Sequence, residues 1–235
     1  MSAQTIERLG ERARFASWGG DGSVAHLSPA SVAPLSAEFV FCCLDWLRSG
    51  GYASVVTSAL TAPECEGFAQ AGFEVHEELD LLVHDLGRLP PVSRRLRRAR
   101  AAHRAAVVRL DALAFDPFWR LDEGGLDEAL AATPHVRFRV AGSRILPPGG
   151  HLQGYVIAGR GSTTGYVQRL AVHPEARGRG LGRAMVGDVL RWMRRRGASR
   201  ALVNTQCSNQ AARALYQACG FQLQPEGLQV MARGL

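Results

Sequence analysis

Lysine is missing from all 235 residues, so every basic side chain is an arginine. That removes the P-loop nucleotide binders, whose GxxxxGK[ST] loop sets a lysine on the phosphates. Cysteine is sparse and unpatterned: Cys42, Cys43, Cys65, Cys207 and Cys219 are odd in number and show no CxxC spacing. Neither a disulfide framework nor a metal site fits, and small buried hydrophobes are the expected role. No run of about 18 apolar residues occurs that would cross a bilayer, and no basic-then-apolar leader follows Met1. The expectation is a soluble, cytoplasmic chain with no membrane partner.

What is present is an ordinary globular mixture, 46% hydrophobic and 21% charged, enough for one large or two small domains. Charge divides it. Residues 1–90 carry 5 Arg against 12 Asp and Glu, whereas residues 91–235 carry 23 Arg against 9, balances of −7 and +14. A basic half suits an anionic ligand or an acidic partner. Pro90-Pro91 closes the acidic part, and the arginine-rich stretch beyond it reads as a linker or exposed helix over 93–103.

In the front part, Phe39, Cys42, Cys43 and Trp46 recur at helical spacing over Ser31–Arg48, with Ser36 as a cap and Gly50-Gly51 as a stop. A strand over Tyr52–Ser58, a helix over Pro63–Ala71, the break Gly72-Phe73 and one or two strands over Glu74–His84 follow. Thr5–Phe15 is expected to be helical. The same order returns near the end: a helix to Arg196, a strand Ala201–Asn204, a helix Gln210–Ala218, then Gly220-Phe221, 148 residues after Gly72-Phe73. At that offset Phe68 falls on Tyr216 and Thr57 on Thr205, an internal repeat. Between the copies, Ala105–Leu110 reads as a strand, Asp111–Phe118 as a turn, Leu121–Ala132 as a helix and Val136–Ala141 as a strand. Pro147-Pro148-Gly149-Gly150 then turns into a further strand, Leu152–Ala158.

The most informative stretch is Tyr166–Arg183. An apolar-leaning strand to Val172 is stopped by His173-Pro174, and Arg177-Gly178-Arg179-Gly180-Leu181-Gly182 leads into a helix at Arg183. Strand, glycine turn and helix make a phosphate-binding arrangement, because the first N–H groups of the helix point at an anion. A dinucleotide GxGxxG is not met, since Gly178-x-Gly180 is followed three residues on by Arg183. What is met is R/Q-x-x-G-x-G/A, at Arg177, Gly180 and Gly182. A second pattern, N-x-x-[AS]-x-x-x-[YF]-x-x-x-G-F, is met by Asn209, Ala212, Tyr216 and Gly220-Phe221. Seven residues are about two helical turns, so Asn209 and Tyr216 share a face.

These two signatures resemble the GNAT superfamily of acyl-CoA-dependent N-acyltransferases, and with their flanking elements the resemblance covers about 104–235. It implies an α/β (α+β) fold: a mixed, mostly antiparallel sheet with a splayed central strand pair and flanking helices. The layout expected is a partial, degenerate GNAT-like unit over 1–92, the basic linker or helix 93–103, and a catalytic domain over 104–235. The tandem arrangement is similar to that of mycothiol synthases, with a shorter front unit. No R/Q-x-x-G-x-G/A that follows a strand and opens a helix precedes Arg177, since the match at Arg48, Gly51 and Ala53 closes a helix instead, so the front unit is not expected to hold coenzyme.

The implied activity is direct transfer of an acetyl or other short acyl group from acyl-CoA to a primary amine of a small molecule or a peptide N-terminus, with acetyl-CoA as co-substrate and no metal. By the resemblance, the backbone of Gly178, Arg179, Gly180, Leu181, Gly182 and Arg183 takes the diphosphate, aided by the Arg177 and Arg183 side chains. Leu170, Ala171 and Val172 pair with the pantetheine arm, and an N–H near Leu170 meets the thioester oxygen. Asn209 contacts the pantetheine beside the small Ala212, and Tyr216 is the general acid. The segment Ala114–Trp119 resembles one found in acetyltransferases of protein N-termini.

Tyr166–Arg169 contains no carboxylate of the kind that often serves the family as general base. The remaining candidates are His135, His151 and His173, and the acidic Asp122, Glu123, Asp127 and Glu128. Two other readings stand beside the enzyme. One is an acyl-CoA-binding regulatory or protein-interaction module with weak or no turnover. The other, nucleic-acid binding through Arg94–Arg104 and Arg191–Arg200, lacks interleaved aromatics and a reader motif. A homodimer stays open.

Overall fold

The computed structural model describes residues 4–19, 21–91, 94, 96–142 and 152–235, arranged as two compact units. One consists of Met1–Leu81, Gln206–Ser208 and Pro225–Leu235, the other of Leu82–Thr205 and Asn209–Gln224. No helix among the described residues is long and apolar enough to cross a membrane.

The front unit begins with strands β1 (Gln4–Arg8), β2 (Glu11–Trp18) and β3 (Asp21–Pro29), paired antiparallel in turn. The helix expected over Thr5–Phe15 is therefore a hairpin. Ile6, Ala13 and Phe15 are buried while Thr5, Glu7, Arg12 and Arg14 beside them are exposed, an alternation of period two, and the chain reverses at Leu9-Gly10, both at positive φ. Helix α1 (Ala37–Ser49) starts at the expected cap, where the Ser36 Oγ accepts from the Phe39 N–H. Strand β4 (Ser54–Thr57), helix α2 (Ala62–Gln70) and a single strand β5 (Glu74–His84) follow. One neighbour of β4 comes from far along the chain. The strand Leu228–Gly234 lies antiparallel to both β4 and β5, which is why Pro225–Leu235 belong with this unit. This differs from a division at the 93–103 linker.

In the rear unit a short strand β6 (Arg97–Arg98), read from sequence as linker or helix, pairs with β7 (His135–Ala141). Between them run α3 (Arg104–Ala114), a 3₁₀ turn at Pro117–Trp119 and α4 (Glu123–Ala131). The strand expected over Ala105–Leu110 is thus helix. Its buried residues Ala106, Val107, Leu110 and Asp111 recur with a helical rather than an alternating period. The turn Pro147–Gly150 lies outside the described residues. Strands β8 (Gly154–Gly161) and β9 (Thr164–Val172) continue the antiparallel sheet, and α5 (Leu181–Arg195), β10 (Arg200–Gln206), α6 (Gln210–Ala218) and β11 (Gln222–Leu223) complete the unit. The last strand, Leu228–Gly234, is β12. One face of the rear sheet packs Val156, Ala158 and Val167 under α5, and the other packs Tyr155, Ile157 and Ala171 under α3 and α4.

The repeat is visible in local geometry. Thr61 caps α2 and Asn209 caps α6. Phe68 and Tyr216 are buried on those helices, and their carbonyls accept from the N–H groups of Phe73 and Phe221 at 3.0 and 3.1 Å. Gly72 and Gly220 both take positive φ, +80° and +98°. The rings of each pair meet edge-on, with centroids 5.2 and 5.6 Å apart.

Candidate active site

The site begins where a strand pair comes apart. β9 and β10 run parallel but pair at three positions, Arg200 with Thr164, Ala201 with Gly165 and Leu202 with Tyr166. Beyond Tyr166, β9 continues to Val172 held by β8 alone, with Leu170, Ala171 and Val172 opposite Val156, Tyr155 and Gly154. A wedge opens there, and backbone groups on one side of β9 are left for a ligand that can pair as a strand does.

The wedge leads to an anion cradle. After a 3₁₀ turn at Pro174–Ala176, Gly178 and Gly180 take φ of +72° and +76°, which an L side chain adopts only under strain. Gly180 is the N-cap of α5, with no side chain closing the helix end and no acidic residue in the first turn. The Ala184 N–H bonds back to Gly180, whereas the N–H groups of Leu181, Gly182 and Arg183 precede the first helical hydrogen bond. Arg177, Arg179 and Arg183 are exposed around this end. Arg94 donates to the Arg179 carbonyl at 3.1 Å and Arg177 to the Val172 carbonyl at 3.4 Å, which fixes the loop at both ends. Gly182 has a packing reason as well: a Cβ there would come within 2.9 Å of Leu215 on α6. Free N–H donors, a helix dipole and three arginines together suit a diphosphate.

On α6, the Asn209 Oδ1 accepts from the Ala212 N–H at 3.1 Å, so the spacing of these two residues is that of a helix cap. The cap leaves the Asn209 amide nitrogen for a ligand. Tyr216 is 6% exposed. Burial, with the nearby Cys219, raises its phenol above the ordinary tyrosine value, against a lowering influence from Arg169. A phenol held protonated at neutral pH is suited to give a proton, not to take one.

The front unit shows the same places closed. Val24–Leu27 of β3 pair with Ser54–Thr57 over the whole length of β4, and the Ser58 N–H continues to the Leu27 carbonyl at 3.1 Å. At the start of α1 the Glu11 carboxylate takes bonds from the Ser36 N–H at 2.6 Å and the Ser36 hydroxyl at 2.8 Å, with Glu38 in the first turn. An internal carboxylate fills the end that α5 leaves open.

The candidate bases fare unevenly. Asp122 caps α4 through the Gly125 N–H, while Glu123 and Asp127 are paired with Arg104 at 3.2 and 2.8 Å. Glu128 keeps a raised carboxyl through burial, with Asp122 adding to it. His173 caps the turn after β9 by accepting from the Glu175 N–H, His135 is exposed on β7, and His151 lies outside the described residues. Several arginines of the nucleic-acid reading are spent on internal partners: Arg97 on the Gly142 carbonyl, Arg194 on the Gly87 carbonyl and Arg200 on the Thr164 hydroxyl. Among the cysteines, Cys43, Cys65 and Cys219 are buried as expected, whereas Cys207 is exposed. The sequence missed a buried ion pair between Asp111 and Arg169. Its one trace was an aspartate next to Leu110 on what proves to be the apolar face of α3.

Residues 106–221 match the model of the acetyltransferase (GNAT) family. These residues form a GNAT domain. Two curated relatives are mycothiol acetyltransferases: that of Beutenbergia cavernae is 43% identical over 60 residues, and that of Salinispora arenicola is 42% identical over 80. The matches cover 26% and 32% of this chain but only 20% and 26% of those relatives. Among solved structures, a tandem GNAT protein from the clavulanic acid biosynthesis pathway superposes with a TM-score of 0.66 at 16% identity, covering 98% of this chain and 81% of that one. A GCN5-related N-acetyltransferase from Kribbella flavida gives 0.64 at 13%, covering 98% and 89%. At such identities the superpositions speak for the fold alone. They agree with the mixed, mostly antiparallel sheet and with a degenerate GNAT-like front unit.

Proposed function

We propose that this GNAT protein transfers an acetyl group from acetyl-CoA to a primary amine. The observation that carries the reading is the wedge between β9 and β10 running into the open N-terminus of α5, a strand-pairing edge followed by an anion cradle. That order matches a pantetheine arm followed by a diphosphate, and acetyl-CoA supplies the activated acetyl thioester. In this reading the backbone from Gly178 to Arg183 binds the diphosphate with Arg177 and Arg183, and the backbone of Leu170, Ala171 and Val172 holds the arm. An N–H at Leu170 addresses the thioester oxygen, where donors fixed in advance favour developing negative charge. Asn209 steadies the arm, and Tyr216 protonates the departing sulfur.

The acceptor is a small-molecule or peptide amine. No carboxylate stands on β9 to deprotonate it, and three of the four acidic residues near α4 are committed to a cap or to Arg104. Water is the base this arrangement favours. Calorimetry with acetyl-CoA, followed by thiol release over pooled aminosugars, amino-acid amides and peptides, tests the proposal. Saturable binding with turnover of at least one amine is expected; absence of binding at millimolar acetyl-CoA overturns it.

A further inference from the structure

The pairing of β9 with β8 contains a slip. Val167 stands opposite Ala158 and Arg169 opposite Ile157, which leaves Gln168 as an extra residue, a β-bulge. A one-residue slip changes the face that the neighbouring side chains take. Val167 accordingly packs in the core beneath α5, while Arg169 is sent to the opposite face, toward α3.

There the guanidinium is gripped from several sides. Its Nε and Nη2 donate to the two carboxylate oxygens of Asp111 at 2.8 and 2.9 Å, and Nη2 also donates to the Trp119 carbonyl. Its Cζ lies 3.4 Å from the centroid of the Phe115 ring. Asp111, with no exposed surface, accepts in addition from the Leu121 N–H at 2.7 Å and from the Tyr155 hydroxyl. A buried carboxylate is tolerated when its charge and lone pairs are met, yet such a pair adds little stability over well-packed apolar residues. What this one adds is registration: a forked, stacked arginine has one geometry. It ties β9, one residue before Leu170, to the segment Phe115–Leu121 that connects α3 to α4.

We propose that Phe115–Leu121, held by the residue next to Leu170, forms a wall of the acceptor site, and that Arg169, aimed by the bulge at Gln168 and clamped by Asp111, is a positioning residue that registers this wall against the strand holding the thioester. This rests on the transferase reading above, and it adds a device that aligns amine and acyl group without touching either. A wall that drifts from its register holds the amine less well, so the loss shows first in the acceptor KM.

The 235-residue protein saturated with acetyl-CoA provides the test. Arg169→Lys keeps the charge but loses the fork and the stack. The acetyl-CoA Kd is expected to stay within about twofold, while KM rises about tenfold or more for the amine turned over fastest among a tripeptide, an amino-acid amide and an aminosugar. Amides of Phe115–Leu121 should exchange hydrogen faster while those of α5 and α6 do not change. An unchanged KM, or acetyl-CoA affinity falling as far as acceptor affinity, overturns the proposal. If the wild type binds acetyl-CoA but turns over none of the amines, the transferase reading fails by itself. Hydrogen exchange then decides the clamp, and unchanged exchange at Phe115–Leu121 sinks it. Should Arg169→Lys not fold, Phe115→Leu removes only the stacking face. A raised KM at unaltered acetyl-CoA affinity supports the clamp, and an equal KM overturns it.

Discussion

Phe68 and Tyr216 hold the same place in two copies of one motif: each is buried on the helix that precedes a Gly-Phe pair, and each carbonyl accepts from that phenylalanine. They differ by one hydroxyl. The front copy shows that a phenylalanine satisfies the packing, so the Tyr216 oxygen has no structural duty that Phe68 fails to perform.

Tyr216→Phe should therefore lower turnover about tenfold or more, with acetyl-CoA affinity and thermal midpoint nearly unchanged. Steady-state kinetics beside calorimetry check this. An unaltered rate removes the phenol from the chemistry.

Gly180→Val places a branched side chain at φ +76° on the cap of α5. The strain is about 1–2 kcal/mol, and its relief would swing the helix N-terminus away from the diphosphate. Acetyl-CoA affinity should drop about tenfold or more, while Gly22→Val, at a glycine with negative φ in the front unit and open space around it, should leave it alone. Equal affinities in the two variants would contradict the cradle.

His26, half-buried with its ring 4.9 Å from that of Trp18, is pushed down to about 4 by burial. The folded state resists protonation that the unfolded chain accepts near 6.5, so between pH 4 and 6.5 the unfolded state binds more protons and stability falls as pH falls. On the order of 2 kcal/mol should be lost from pH 7 to 4.5, less than the full linkage because part of the ring meets solvent. Urea midpoints across that range, compared with His26→Gln, test it. A variant with the same slope as the wild type rules His26 out.

Glu11→Ala removes both bonds to Ser36 at the head of α1. A loss of about 1–2 kcal/mol is expected from denaturation of the front unit. The coenzyme stoichiometry should stay at one per chain, because β3 and β4 remain paired and offer no wedge. A second binding event in this variant would show that Glu11 alone keeps the front unit closed.

Much of this was legible beforehand, and where it was not the reasons are physical. Backbone conformation left strong traces: the glycines of the 177–182 loop, the Ser36 cap and the Gly-Phe pairs of the repeat were readable, whereas the cap made by Asn209 was not. The front hairpin was hidden because Thr5–Phe15 has few apolar residues, so the alternation around Ile6, Ala13 and Phe15 is thin. The α3 error came from Val107 and Val108, β-branched residues that packing overrides in a helix. The Asp111–Arg169 pair was out of reach because it depends on a bulge, and a bulge at Gln168 has no signature in residue type.

The place of β12 also bears on how the molecule is made. The front unit's sheet needs Leu228–Gly234 between β4 and β5, so its earliest strands wait on a segment translated after the whole rear domain. Until then β4 and β5 each present an unpaired edge on that side, the kind that recruits foreign strands. During synthesis the rear domain has all its strands first, and the front unit, though translated earlier, is the last to close. A released chain lacking Pro225–Leu235 would keep every strand of the rear unit while β4 and β5 each present an edge open to foreign strands.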